Sequence, residues 1–422
     1  MILEIRLRNF FSIKDEVVLD MQPASLRSEK ARLLNGNIIE DEASYKALKS
    51  IAIYGANASG KSNIIKAIRF CCTMVFNSHT HNEDVSFNFK PFKFDGYDKK
   101  PSSFFIRFLQ EGREYEYSFT LTTEAILKES LHYQSPGKRR TRIFERNEST
   151  GKTKADKYSF SRELKKPLDV AESTSVKTLF ISRASQMDRE IGKQIFRYFH
   201  EHFILRYLGY NPELLKHTIS NEKQNILNAL RVADSDIIDI ELKTERKLAK
   251  GYNVNVTGVS EPLVTTSEQE YEHFRIITYH KQAPNIPFDF ETEESDGTRK
   301  LFFVLLNILD IIKHNKVLLI DEIESSLHSG LVEFIIDLFH QSAGSQIIFT
   351  THDTNLLNLE RVRRDQVYFV NKKPEDGSSD LYSLIEFKDF RENMDPEKAY
   401  LLGRFDAIPY TGDPATVITK DR

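Results

Sequence analysis

A chain of 422 residues that is 40% hydrophobic and 29% charged has the composition of a globular protein with a real core, which excludes a disordered or fibrous chain. A net charge of −3 provides no global basic field, so any nucleic-acid contact would have to come from local patches. No apolar run approaches the roughly eighteen residues of a membrane span and the start lacks a signal-peptide pattern, so the expectation is a cytoplasmic protein with no membrane partner.

In chain order, strands are predicted over Ile2–Leu7 and Val17–Met21, around a turn-like segment at 9–16. Residues 22–49 are mixed and polar and read as a surface connection. Ile51–Tyr54 reads as a buried strand, and Asn63–Phe70 has helical spacing. Between them Gly55-Ala56-Asn57-Ala58-Ser59-Gly60-Lys61-Ser62 fits G-x-x-x-x-G-K-[ST]. The two glycines let successive backbone N–H groups point into one concavity that suits phosphate oxygens, and the helix adds its positive dipole end. Lys61 would reach the β- and γ-phosphates, and the Ser62 hydroxyl would hold Mg²⁺. The pattern predicts a nucleoside triphosphate site. Cys71 and Cys72, adjacent at the end of that helix, read as small buried apolar residues in a reducing compartment.

A β-rich section follows. Ser103–Leu109 and Tyr115–Leu121 are joined by a Gln-Glu-Gly-Arg hairpin signal, and Ile126–Tyr133 and Arg142–Glu145 continue the pattern. Ser135–Arg140 is an exposed turn with a basic tip, and residues 147–175 read as a long loop. Thr178–Ser182 is predicted as a strand running into Gln186. Ile191–Leu230 is helical, interrupted at Gly209 and Pro212. Strands return at Ile237–Leu242, Tyr252–Val256 and Phe274–Tyr279, with no sustained heptad repeat, so this interval is a lobe and not a long coiled coil.

The last third is strongly patterned. Thr298–Lys313 is apolar almost all round, hence a buried helix. Val317–Ile320 is a short apolar strand of the parallel type ending in Asp321 and Glu322. At the carboxyl end of such a strand both carboxylates face the crevice where ligands bind. Asp321 would complete the Mg²⁺ shell opposite Ser62, and Glu322 would polarise an attacking water. Leu331–Phe339 is helical, and Gln346–Thr350, Gln366–Val370 and Leu381–Ile385 are strands. Residues 411–422 read as a tail, of which Ala415–Arg422 has no pattern.

Asp321-Glu322-Ile-Glu-Ser-Ser326-Leu327-His328, followed by Ile348-Phe-Thr-Thr-His352-Asp353, resembles the order found in ABC-type ATPase heads of the RecF, SMC and OLD-like proteins. The resemblance implies an α/β P-loop head with a mixed or parallel sheet flanked by helices, hydrolysing ATP with Mg²⁺. It makes Ser326–His328 a D-loop, His352 the switch histidine that senses the γ-phosphate, and Gln186 a Q-loop residue touching nucleotide and metal. Glu294-Ser295-Asp296-Gly297-Thr298 looks like a degenerate signature motif, so that Ser295 and Gly297 would cap the γ-phosphate held by a second protomer. A homodimer or larger oligomer follows.

The closing Ala399–Pro409 and the Tyr-Tyr hairpin around Tyr115 and Tyr117 are similar to the RloA-type, AAA_15-like ATPases encoded beside restriction and abortive-infection systems. That resemblance implies an anti-phage defence ATPase controlling a partner nuclease or toxin encoded nearby. About 70 residues follow His352, too few for the TOPRIM nuclease domain of OLD proteins plus the final head strands, so the effector is expected on another chain. The alternative is a RecF-like repair ATPase binding DNA through Arg139, Arg140, Arg361, Arg363 and Arg364. The expected layout is a head from 1–190 and 271–410 with an inserted α+β lobe at 191–270.

Overall fold

The computed structural model describes residues 1–408 except 27, 152, 205–207, 234, 256–262, 326 and 392–393, and only the backbone of 247–255 and 263–273. In chain order the first part holds β1 (Ile2–Arg8), β2 (Val17–Asp20), α1 (Glu29–Leu33), β3 (Ile38–Glu40), β4 (Lys46–Leu48), β5 (Ser50–Tyr54) and α2 (Lys61–Asn77). There follow β6 (Ser102–Gln110), β7 (Arg113–Leu121), β8 (Ile126–Gln134), β9 (Thr141–Asn147), β10 (Tyr158–Phe160), α3 (Pro167–Glu172), α4 (Phe180–Gln186), α5 (Glu190–His202) and β11 (Phe203–Ile204). The middle holds α6 (Pro212–Asn221), α7 (Lys223–Val232), β12 (Ile237–Asn255), β13 (Leu263–His280), β14 (Ala283–Asp289) and α8 (Asp296–Lys313). The last part is β15 (Val317–Ile320), α9 (Ser329–Gln341), β16 (Gln346–Thr350), β17 (Val367–Lys372), β18 (Ser379–Ser383) and α10 (Pro396–Leu401).

Two compact units emerge: Met1–Leu205 with Ile311–Arg422, and Arg206–Asp310. The lobe therefore starts and ends later than the 191–270 expected. Helix α5 belongs to the head because Ile195, Tyr198 and Phe199 are buried in the head core. The head has two sheets. One is seven-stranded and antiparallel, in the order β10-β9-β8-β7-β6-β1-β2. The other runs β11-β15-β16-β5-β17-β18, parallel throughout except for the β17–β18 pair. Helix α2 packs against β1 of the first sheet and against β15 and β16 of the second. Its Ile64, Ile65, Ala67, Ile68, Cys71, Cys72, Met74 and Val75 are buried, so it is apolar on more than one face because both neighbours are sheets. Cys71 and Cys72 are free, buried thiols.

Several expectations are corrected. Residues 22–49 are not merely a surface connection: β3 and β4 pair antiparallel, and Ile39, Ala47 and Leu48 are buried. Within 147–175, β10 extends the antiparallel sheet through β9, and Pro167 opens α3. The strand expected at Thr178–Ser182 is the start of α4. A short apolar run does not by itself distinguish strand from buried helix. Here the buried Glu129 carboxylate accepts the N–H groups of Phe180 (2.6 Å) and Ile181 (3.0 Å), satisfying the helix start that no local cap serves. The helical stretch from 191 is interrupted by β11, an edge strand paired with β15, and resumes in α6 and α7.

The lobe, taken by itself, contains one long hairpin, β12–β13, where three separate strands were expected; Val256 lies outside the described residues. Strand β14 pairs with the base of β13. Ile237, Ile240, Phe274 and Ile276 at that base are buried, as are Phe302, Leu305 and Leu306 of α8. The predicted tail 411–422 lies outside the described residues.

Candidate nucleotide-binding site

Strand β16 lies between β15 and β5, so the chain leaves three adjacent parallel strands at the same edge of the sheet. Glycine loop, Asp321–Glu322 and His352 follow directly from those three ends, the crevice position for ligands of open α/β sheets. Sequence spacing alone could not show that the histidine's strand is the one in the middle.

The loop needs glycine where the motif places it. Gly60 has φ +112, and a Cβ there would meet the hydroxyls of Ser379 at 2.1 Å and Ser12 at 2.6 Å. At Gly55 a Cβ would come 2.4 Å from the carbonyl oxygen of Val370, which is backbone and cannot turn aside. The amide of Ser59 bonds Ala56 and that of Asn63 bonds Gly60. Among the described residues the amides of Asn57, Ala58, Gly60, Lys61 and Ser62 take no protein acceptor, which fits a phosphate cradle. The Lys61 ammonium donates to Gly55 O at 2.7 Å and Ala56 O at 3.0 Å, and its Nζ is 3.5 Å from His352 Nδ1. Burial pushes the Lys61 pKa down to about 8, against the pull of Glu322, Asp321 and Glu324.

The carboxylates are laced to the next strand. The Thr350 hydroxyl donates to Asp321 Oδ1 at 2.6 Å and accepts the Glu322 N–H at 2.8 Å. That anchors Glu322 in a left-handed backbone conformation, φ 52, which costs a non-glycine residue about 1–3 kcal/mol and recurs at functional sites. Glu324 Oε1 accepts the His352 N–H at 2.6 Å. His352 opens to solvent on one side; partial desolvation and then the Lys61 ammonium hold its pKa below the usual histidine range, with Glu324, Glu322 and Asp321 opposing. Thr350 and Glu324 are thus positioning residues that the motif reading passed over, although both lie inside the quoted stretches. Ser379 gave no sequence signal at all, and nothing in the sequence assigned Ser12 a part in holding the loop. Ser379 Oγ lies 2.5 Å from Ser59 O and 2.7 Å from Ser12 Oγ, and Ser12 accepts from Asn63 Nδ2 at 2.7 Å. Asn63 is therefore committed to fastening the loop.

Other expected residues lie elsewhere. Gln186 is not at the end of a strand but at the end of α4, where Arg183 donates to its side chain. The approach to α4 docks through Thr178 and Leu179 on Ser78, beyond the last residue of α2. Helix α2, 17 residues long, spans about 25 Å from Lys61 to that point, so the geometric basis for a Q-loop at Gln186 is lost. His328 caps α9, its Nδ1 accepting the Gly330 N–H at 3.2 Å; Ser326 lies outside the described residues. In the lobe, Ser295 Oγ accepts the Thr298 N–H at 3.1 Å at the start of α8, and Glu294 is held by His280 at 2.7 Å. Gly297 is open, with only Ser295 Oγ at 3.7 Å near a would-be Cβ, so nothing among the described residues requires glycine there.

Residues 50–358, from β5 to just past His352, match the family model described as "AAA domain, putative AbiEii toxin, Type IV TA system". The chain belongs to that family. It is an ATPase with a P-loop α/β fold, as expected, and it binds nucleotide. No curated protein matches it. Among solved structures it is similar to the SMC head domain from Thermotoga maritima, at 12% identity and TM-score 0.38 over 90% of this chain and 98% of that one. An SMC head bound to the C-winged helix domain of ScpA gives 17% and 0.41 over 90% and 97%. An SMC head with an extended coiled coil, bound to the C-terminal domain of ScpA derived from Pyrococcus furiosus, gives 16% and 0.40 over 96% and 99%. At TM-scores this low these likenesses carry none of the argument. No described helix of the ATPase is long and apolar enough to cross a membrane.

The arginines named for a DNA groove are largely spent within the ATPase itself. Arg140 pairs with Glu116, Arg361 with Glu333 and Asp337, and the buried Arg363 with Asp365. Arg364 donates to the carbonyls of Leu384 and Phe387. Arg139 is exposed.

Proposed function

We propose that this ATPase is the nucleotide-driven subunit of an RloA-type anti-phage defence system, closing as a dimer or larger oligomer around ATP and controlling a partner nuclease or toxin. One observation carries the reading: Lys61, Asp321, Glu322 and His352 converge at one sheet edge in a chain whose family is described by a toxin–antitoxin role. In this reading the loop amides and Lys61 bind the phosphates, Glu322 orients and deprotonates water, and His352 senses the γ-phosphate. Ser62 and Asp321 offer hard oxygen ligands of the kind Mg²⁺ takes. Bound there, Mg²⁺ would neutralise charge developing on the phosphate oxygens. Ser295 and Gly297 would come from a second copy, which suits a glycine that nothing among the described residues requires.

The RecF-like alternative is less well supported, because four of its five arginines already have partners. The test is a phage challenge of cells carrying this reading frame with its neighbours. Wild type should lower plating efficiency, and Lys61→Ala and Glu322→Gln should restore it. Protection by Lys61→Ala equal to wild type would overturn the proposal, and DNA-stimulated turnover would favour the alternative.

A further inference from the structure

The closing motif around Ala399–Ala407 lies outside the matched residues 50–358, and nothing in the proposed chemistry uses it. Its packing is specific. Tyr400, 6% exposed, stacks on Phe369 of β17 with centroids 5.8 Å apart and planes at 16°. It also meets Tyr54, the last residue of β5, edge-on at 6.0 Å. Its hydroxyl donates to Ala407 O at 3.2 Å, within the motif itself, so its tie to the phosphate loop runs through Tyr54, the residue just before Gly55. One turn earlier on α10, Glu397 accepts the Thr354 hydroxyl at 2.6 Å, two residues beyond His352. Phe405 stacks on Phe369 as well, at 4.7 Å, and its carbonyl accepts the Tyr382 hydroxyl, so the motif is pinned at both ends.

We propose that α10 is a positioning brace for ATP hydrolysis, in which the Tyr400 ring, packed on Tyr54, fixes the strand end from which the phosphate loop departs and Glu397, through Thr354, fixes the segment that carries His352. The physical ground is that one six-residue helix touches both the residue that leads into the phosphate loop and the segment just after His352, so neither can shift without straining the other's anchor. The part assigned to Glu397 rests on the switch role proposed above for His352; the part assigned to Tyr400 does not.

The test is steady-state kinetics on the full chain, with thermal midpoints measured alongside. Glu397→Ala should lower kcat several-fold with KM for ATP unchanged, while Glu397→Gln, which keeps an acceptor oxygen, should restore it. Thr354→Val should reproduce the Glu397→Ala loss, and the double variant should be no worse, since both remove one interaction. Tyr400→Leu removes the ring contacts and should raise KM several-fold with little change in kcat, while Tyr400→Phe, which keeps them, should leave KM unchanged; an unchanged KM for Tyr400→Leu would overturn the part assigned to Tyr400. Equal behaviour of Glu397→Ala and Glu397→Gln, or additive losses in the double variant, would overturn the brace. His352→Gln separates the two readings. If it leaves kcat unchanged, the switch role fails; if it lowers kcat while Glu397→Ala does not, the brace fails.

Discussion

Lys61 shows how a binding residue is tuned by what surrounds it. Buried against the loop carbonyls, its ammonium is destabilised by desolvation and rescued only in part by three carboxylates. Phosphate oxygens would reverse that balance, so Lys61→Ala should abolish ATP binding in a titration. The sign of the pH dependence follows. In the nucleotide-free protein the charge is held below about pH 8 and lost as pH rises through that value, so ATP affinity should weaken on the alkaline side. Lys61→Arg, always charged, should flatten that limb. Stability has the opposite slope: the folded pKa is below the unfolded one, so the folded state binds fewer protons between about 8 and 10.5 and gains stability as pH rises across that window. Glu322→Gln should bind ATP and lose roughly 10²–10⁴-fold in turnover, as removal of a general base does. Hydrolysis at the wild-type rate would remove Glu322 from the mechanism.

At the scale of elements, the lacing between β15 and β16 matters more than either motif alone. Thr350→Val is nearly isosteric, yet it strips Asp321 of a donor and leaves the Glu322 N–H without its acceptor. Hydrogen bonds to charged groups contribute about 1.5–3 kcal/mol, so kcat should fall roughly 10- to 100-fold while KM moves little. An unchanged kcat would show that the carboxylates hold their places unaided. The strands bearing chemistry were legible because each is a short apolar run stopped by its functional residues: Ile51–Tyr54 before the glycine loop, Val317–Ile320 before Asp321, Gln346–Thr350 before His352. Helix α4 was not, because what makes Phe180 and Ile181 helical is the distant Glu129 carboxylate at their N–H groups. Ser12 and Ser379 were illegible for a similar reason. A serine in a turn or strand has no periodicity that marks it, and only tertiary approach to Ser59 and Gly60 gives it a task.

For the whole molecule the question is whether one chain suffices. If Ser295 and Gly297 serve a neighbour's nucleotide, Gly297→Glu should bind ATP normally and fail to hydrolyse it. The open surroundings of Gly297 mean that the change should not unfold the lobe. Mixed with Lys61→Ala, it should recover some turnover, because each mixed dimer then holds one intact pairing of phosphate loop and signature. A flat rate across mixing ratios, with subunit exchange confirmed, would count against oligomerisation as part of the mechanism. The sheet order has a further consequence, for synthesis. Strand β5 lies between β16 and β17, with Ile51 beside Ile348 and Ala52 beside Val367. A nascent chain therefore displays its glycine loop early, on a strand that gains its first neighbour only when β16 is released and its second only when the ribosome has released residues through Lys372. Such late pairings are slow to form and leave apolar strands waiting. A message cut short anywhere in that interval would yield a polypeptide carrying the full phosphate-binding motif but no working ATPase, so activity would be gated by completion of translation itself.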